Sequence, residues 1–364
     1  MDTLRVAIIT NIPTPYRDGV YDHLSQDKDL SVKVIYCNHT EPNRNWKKSL
    51  RGHKHVFLES RQISHNGQYI HFSMSAGKYL SSFDPHVVIT SGYGPIMMSA
   101  LLWAKLRGCH HIVFTDGTIT SEENLSYLHR LARVIFFRFS SAFIGASNRS
   151  LELFRSYGID RKAIFKSCLC VNNSLFQTPA DISREFDILF VGQMIDRKMP
   201  LFFAEVAEIL VKTRGSCKAL ILGSGPLLKE LESRLIRSAV EYKILGFIQP
   251  NELPQYYAKA KLFLFPTEWD PWGVVANEAC AAGLPVLTTS QAGVAGELVL
   301  DGQNGFVIPP TPSIWAGAVS TLLDNDQLYT EMSNKSVQLV SEYSIESAST
   351  GIKSAIMHCF QSKP

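Results

Sequence analysis

Short apolar runs that end in turn residues, and recur at helix-length intervals, constrain this chain more than any other feature. Residues 5–10 run Arg5-Val-Ala-Ile-Ile-Thr10 and stop at Asn11, Pro13 and Pro15; similar runs lie at 30–37, 86–90, 111–114 and 142–145. Strands covered on both faces read this way, as unbroken apolar stretches. After a polar, proline-bearing stretch at 177–185, the pattern restarts at 186–191, 218–222, 242–245, 261–265, 284–288 and 305–308. The alternation predicts βαβ units, parallel sheets and two similar α/β domains in tandem. A length of 364 residues suits two domains at roughly 100–200 residues each.

Composition excludes several classes. With 45% hydrophobic and 19% charged residues, the chain is neither disordered, collagen-like nor a disulfide-stapled miniprotein. The net charge of +3 hides a split: residues 1–175 carry 21 basic and 13 acidic side chains, residues 176–364 carry 15 and 20. A basic front half predicts an anionic partner for one domain, a membrane surface, a nucleic acid or an acidic substrate. Seven scattered cysteines predict reduced thiols and a cytoplasmic location. Cys168 and Cys170 are expected to face apart, as alternate residues of a strand do, and not to bind metal. The start, Met-Asp-Thr-Leu-Arg followed by four apolar residues, does not read as a signal peptide. The uncharged stretch 87–104 is broken by Thr90-Ser-Gly-Tyr-Gly-Pro95, which predicts a buried strand, loop and helix rather than a membrane span.

Ligands of open parallel sheets sit at the carboxyl ends of the strands, so the loops there carry the chemistry. The most informative is Phe265-Pro-Thr-Glu268-Trp-Asp270-Pro-Trp-Gly273-Val-Val-Ala-Asn-Glu278-Ala-Cys-Ala-Ala-Gly283-Leu-Pro285-Val. A strand ends, an acidic loop follows, and a helix starts near Gly273, whose amide with those of Val274 and Val275 forms an anion site. Asp270 and Glu278, eight positions apart, flank that site. The set suits a ligand with hydroxyls on both sides of a phosphate, such as a nucleotide sugar.

This segment resembles the E-x7-E signature of the retaining glycosyltransferases of family four, which have the GT-B fold. Asp270 stands where the family has its first Glu, with Glu268 as a second candidate. The resemblance implies that Asp270 bonds the donor sugar hydroxyls and Glu278 the ribose hydroxyls. Phe190-Val-Gly192-Gln193-Met-Ile-Asp-Arg197-Lys198 is similar to the family's F-V-G-R-L-x-x-x-K-G segment, in which Gly192 admits the diphosphate and Lys198 neutralises it. Gln193 replaces the family's Arg and Met199 its Gly; Arg197 is the adjacent cation. Gly223-Ser-Gly225-Pro226, ahead of a predicted helix at 227–237, is similar to the family's G-x-G-P turn. The loop Leu245-Gly-Phe247-Ile248 is similar to the one that takes the base. Gly293-Val-Ala-Gly-Glu297 and Asp301-Gly-Gln-Asn-Gly-Phe306 match its closing turns.

In the front half, Tyr16 and Arg17 follow the first strand, where the family has its acceptor loop. Asp116, after a later strand, is the candidate to orient or deprotonate the acceptor hydroxyl. Two basic clusters stand out: Arg44, Lys47, Lys48, Arg51 and Lys54 around Trp46, and Arg130, Arg133 and Arg138 among Leu131, Val134, Ile135, Phe136 and Phe137. The second reads either as an amphipathic helix on an anionic leaflet or as a core-facing helix with a solvated rim. No module for nucleic acid is present. The D-x-D pairs Asp27/Asp29 and Asp324/Asp326 do not follow strands, so no metal is expected, and no cofactor.

The sequence thus predicts a GT-B α/β protein, two Rossmann-like doubly wound parallel-sheet domains facing across a cleft. Residues 1–176 form the acceptor side, 177–342 the donor domain, and 343–364 a helix returning to the first. The expected activity is transfer of a hexose from a nucleotide diphosphate sugar, UDP before GDP, to a glycan or lipid-linked acceptor in cell-surface polysaccharide or lipopolysaccharide synthesis. The expected place is the inner face of the plasma membrane. A catalytically weak nucleotide-sugar or glycan-binding relative and a GT-B sugar-nucleotide epimerase are the alternatives.

Overall fold

The computed structural model describes residues 3–361, apart from 43, 45, 47–50, 66, 67, 124 and 179–181. Lys47 and Lys48 of the first basic cluster, Met1 and Asp2 of the amino terminus, and 179–181 of the polar stretch lie outside the described residues. The chain forms two compact units, one of Met1–Cys170 with Ile345–Pro364, the other of Val171–Ser344.

The first unit carries strands β1 (Leu4–Thr10), β2 (Leu30–Tyr36), β3 (Lys54–Phe57), β4 (Arg61–His65), β5 (Gln68–Phe72), β6 (Val87–Ser91), β7 (His110–Thr115), β8 (Ala142–Gly145) and β9 (Ile164–Lys166). Seven form a sheet in the order β3-β2-β1-β6-β7-β8-β9, parallel throughout. Val6, Ala7, Ile8 and Ile9 of central β1 are fully buried, as a strand covered on both faces requires. β4 and β5 pair as an antiparallel hairpin. The apolar-run criterion misses β3, β4, β5 and β9, which are short and polar and lie at the sheet edges or outside the sheet. Residues 87–104 fold as β6, a turn and most of the helix Pro95–Leu106. Among the described residues no helix is long and apolar enough to cross a membrane.

The carboxyl-terminal helix Ile345–Gln361 packs on β8, β9 and the helix Pro15–Ser25. A Cβ at Gly351 would stand 1.7 Å from the Lys166 carbonyl oxygen, so only glycine allows this approach. Lys353 Nζ donates to Asp27 Oδ2 at 2.6 Å and Asp29 Oδ2 at 3.3 Å, so this D-x-D pair anchors the helix. Tyr343 and Ser344 stay with the second unit, where Tyr343 packs on Trp272 at 5.4 Å. The expectation that Cys168 and Cys170 face apart is corrected: their thiols are hydrogen-bonded to each other. β9 ends at Lys166, so strand alternation does not govern residues 167–170.

The second unit carries β10 (Phe186–Val191), β11 (Lys218–Leu222), β12 (Glu241–Ile244), β13 (Ala260–Phe265), β14 (Val286–Thr288) and β15 (Gly305–Val307), in the order β12-β11-β10-β13-β14-β15 and all parallel. Residues 171–176, placed in the first domain by the sequence, belong here. Phe176 meets Tyr257 edge-on at 5.6 Å, and Asn173 Nδ2 donates to the Val340 carbonyl at 3.0 Å. The strand order reverses between β10 and β13, so the loops leaving these two strands flank the switch point at which such sheets bind ligands.

Candidate functional site

The loop after β10 turns through Gly192 and Gln193 into a single 3-10 turn, Asp196–Lys198. Met199 ends that turn at φ 50°, in the left-handed region the family fills with glycine. It thereby starts the helix Pro200–Arg214 and sets Arg197 and Lys198 towards the loop after β13. Lys198 Nζ donates to Asp270 Oδ2. Arg197 Nη1 donates to the same oxygen at 3.4 Å and to the Trp269 carbonyl at 2.7 Å. Asp270 Oδ1 accepts the Trp272 amide at 3.1 Å. One carboxylate thus joins two cations and a backbone amide in a largely buried setting. Burial pulls the Lys198 ammonium below its ordinary value, and the charge of Asp270 opposes that pull.

Gly273 caps the helix Val274–Ala281 at φ 104°, and a Cβ there would lie 2.4 Å from the Phe265 ring. Val274 and Val275 are half-buried in the first turn, where backbone amides lack helical acceptors. The loop is buttressed from behind: Gly293 N–H donates to the Asp270 carbonyl at 2.8 Å, and a Cβ on Gly293 would stand 2.1 Å from the Pro271 carbonyl oxygen. One turn on, Glu278 is 8% exposed and accepts the Tyr257 hydroxyl on Oε2 at 2.7 Å. Burial lifts its carboxyl to about 7, with the phenol pulling the other way.

The other predicted residues fall into place unevenly. Gly223 sits at φ 135°, and a Cβ would stand 1.8 Å from the Gly192 carbonyl oxygen, so this glycine lets the β10 and β11 exits touch. The helix after it spans Leu228–Arg237. Gln193 and Glu268 are exposed, and among the described residues neither side chain joins the Lys198–Asp270 cluster. Phe247, 41% exposed, and half-buried Ile248 follow edge strand β12, with no contact to that cluster among the described residues.

In the first unit, Asp116 is exposed just past β7 and Tyr16 is half-buried; burial raises the Tyr16 phenol above its ordinary value, with the Arg44 charge opposing the rise and the Asp116 charge adding to it. Tyr16 meets Trp46 edge-on at 5.9 Å. Arg17 lies 4.4 Å over the Phe114 ring and donates to the Ser167 and Cys168 carbonyls, which ties it into the unit's interior. Two cations of the basic clusters turn inward: Arg51 pairs with Asp18 at 2.7 Å and Arg133 with Glu122 at 2.9 Å. Among the described residues no group of three or more His, Cys, Asp or Glu is placed to hold a metal. Tyr257 carries no sequence motif, and its link to Glu278 spans 21 positions, so no local pattern marks it.

Residues 185–325 match the family described as glycosyl transferases group 1. The alpha-D-kanosaminyltransferase of Streptomyces kanamyceticus is 28% identical over 228 residues, 61% of this chain and 52% of that one. The 2-deoxystreptamine N-acetyl-D-glucosaminyltransferase of Niallia circulans is 28% identical over 152 residues, 41% of this chain and 37% of that one. The chain therefore spans about half or less of the length of the curated relatives it matches. The structure of Anabaena Alr3699/HepE in complex with UDP superposes with a TM-score of 0.77 at 16% identity, covering 98% of this chain and 99% of that one. The chain thus has the GT-B fold, two parallel-sheet α/β units, and residues 185–325, inside the second unit, form a group 1 glycosyl transferase domain.

Proposed function

We propose that the protein is a retaining, metal-independent hexosyltransferase. It moves a hexose from a nucleotide diphosphate sugar to a glycan or lipid-linked acceptor in the synthesis of cell-surface polysaccharide, lipopolysaccharide included. The observation that carries this is the convergence of Lys198, Arg197 and the Trp272 amide on Asp270 at the switch point, eight residues before Glu278. In the reaction, the bond from the anomeric carbon to the diphosphate oxygen breaks, a bond to the acceptor oxygen forms, and the proton of the acceptor hydroxyl passes to the departing diphosphate. Negative charge grows on the leaving diphosphate. Lys198, Arg197 and the amides of Gly273, Val274 and Val275 are fixed donors for that charge, and such preorganised groups are worth most where water is excluded. Glu278 takes the ribose hydroxyls. In the first unit Asp116 orients the acceptor hydroxyl, with Tyr16 and Arg17 on the acceptor side. Similarly folded proteins bound to UDP, or to UDP and glucose, support uridine as the base.

We also propose that the protein works at an anionic membrane face. The helix Tyr127–Phe139 supports this: Tyr127, Leu128, Leu131 and Val134 are exposed beside Arg130 and Arg138, and the helix has no acidic residue.

The test is transfer from a panel of UDP- and GDP-sugars to glycan and lipid-linked acceptors, scored by free nucleoside diphosphate and new glycoside. Wild type should transfer and Glu278→Ala should not; equal activity overturns the proposal. Donor binding without turnover would make it a nucleotide-sugar-binding protein, and a new sugar nucleotide without glycoside an epimerase.

A further inference from the structure

The Glu278 carboxyl has one hydrogen-bond partner among the described residues, the Tyr257 hydroxyl at 2.7 Å from Oε2. Tyr257 is fully buried at the end of the short helix Pro254–Tyr257. Its ring is gripped by Phe176 at 5.6 Å and Phe263 at 5.9 Å, so the hydroxyl has a fixed position. The Val275 carbonyl, 3.4 Å away, is a poorer acceptor for the same proton. We infer that Tyr257 is a positioning residue: it holds the Glu278 carboxylate by Oε2 and leaves Oε1 for the vicinal hydroxyls of the nucleotide's ribose.

The inference rests on the proposed function of the same site. Its chemistry is that of a fixed donor. A phenol donates well to a carboxylate and poorly to a carboxylic acid, so the contact favours the ionised form that a pair of sugar hydroxyls needs as acceptor. The helix carrying Glu278 is packed by the helices Asn173–Phe176, Pro254–Tyr257 and Asp326–Val340 and by β13 and β14. From these elements Tyr257 is the one titratable group acting on the carboxyl among the described residues, and burial is the force it opposes. Donor binding should therefore depend on Tyr257 most strongly near neutral pH.

The experiment is calorimetric titration of UDP and of GDP into the whole protein between about pH 6 and pH 9, for wild type, Tyr257→Phe, Glu278→Gln and the double variant. Tyr257→Phe keeps the ring between Phe176 and Phe263. It should bind the nucleotide about tenfold more weakly at neutral pH, and recover to within about twofold near pH 9 as the carboxyl ionises. In Glu278→Gln the effect of adding Tyr257→Phe should no longer vary with pH and should be less than about twofold. A Tyr257→Phe profile equal to wild type, or a loss that is the same at every pH, overturns the inference alone. Failure of wild type to bind either nucleotide overturns the proposed function and the inference with it.

Discussion

Lys198 and Asp270 form an ion pair, with Arg197 on the same carboxylate oxygen. The carboxylate therefore sits where an anionic ligand would meet both cations, and a diphosphate has to take Lys198 from it. Asp270→Asn should bind a nucleoside diphosphate about tenfold more tightly, since a hydrogen bond to a charged group is worth about 1.5–3 kcal/mol and 1.4 kcal/mol is about tenfold. Lys198→Ala should lower transfer at least ~10²-fold, the scale of losing one preorganised charge-stabilising donor. Titration of UDP and steady-state rates check both; weaker UDP binding by Asp270→Asn would mean that Asp270 does not compete for Lys198.

Glu278 should make stability depend on pH. Its carboxyl is raised from an ordinary 4.5 to about 7 by burial. Between those values the native state keeps a proton that the unfolded chain has released. Stability is then full below the lower value, falls as pH rises, and levels out above the upper one. Glu278→Gln removes that loss, so the variant should exceed wild type by up to ~3 kcal/mol near pH 8 and by nothing near pH 4. Urea unfolding at the two pH values decides it; an equal difference at both would assign the change to packing instead.

Gly273 holds the helix start in a conformation closed to other residues, with the Phe265 ring where a side chain would go. Gly273→Ala should destabilise the second unit by about 1–3 kcal/mol and weaken nucleoside diphosphate binding together. Chemical unfolding and titration measure the pair; a loss below about 0.5 kcal/mol would show that the loop relaxes around the methyl group.

The outer face of the helix Tyr127–Phe139 should bind vesicles rich in anionic lipid and release them at high salt, each arginine contributing about 1 kcal/mol. Leu131→Asp with Val134→Asp should reduce co-sedimentation at least about tenfold while leaving donor affinity unchanged. Equal binding to zwitterionic and anionic vesicles, or to neither, would contradict an electrostatic membrane contact.

Much of the fold was legible because parallel strands are locally encoded. All six strands of the second unit fall within two residues of the apolar runs that predict them, and Gly273 marks its helix start in the sequence. In the first unit the sheet edges and the hairpin were not legible: β3, β4, β5 and β9 lack the apolar runs that mark the buried strands. The C-x-C thiols were misjudged because strand alternation was extended past Lys166. Met199 shows the converse, a left-handed turn kept by its surroundings after the favoured residue is gone.

At the site, the sequence alone determined which residues stand at strand exits and helix starts: Lys198, Asp270, Gly273 and Glu278. The positions of Asp270, Gly273 and Glu278 follow from hydrophobic period and turn chemistry, which act over a few residues, while Lys198 is marked by the resemblance of its segment to the family's. Only the tertiary structure decided what each side chain touches. Arg197 reaches Trp269 and Asp270 across more than seventy positions, and Tyr257 meets Glu278 across twenty-one. The separation of strands in the sheet sets such contacts. The same packing removes water from Glu278 and so changes its acidity, which no local pattern of residues encodes.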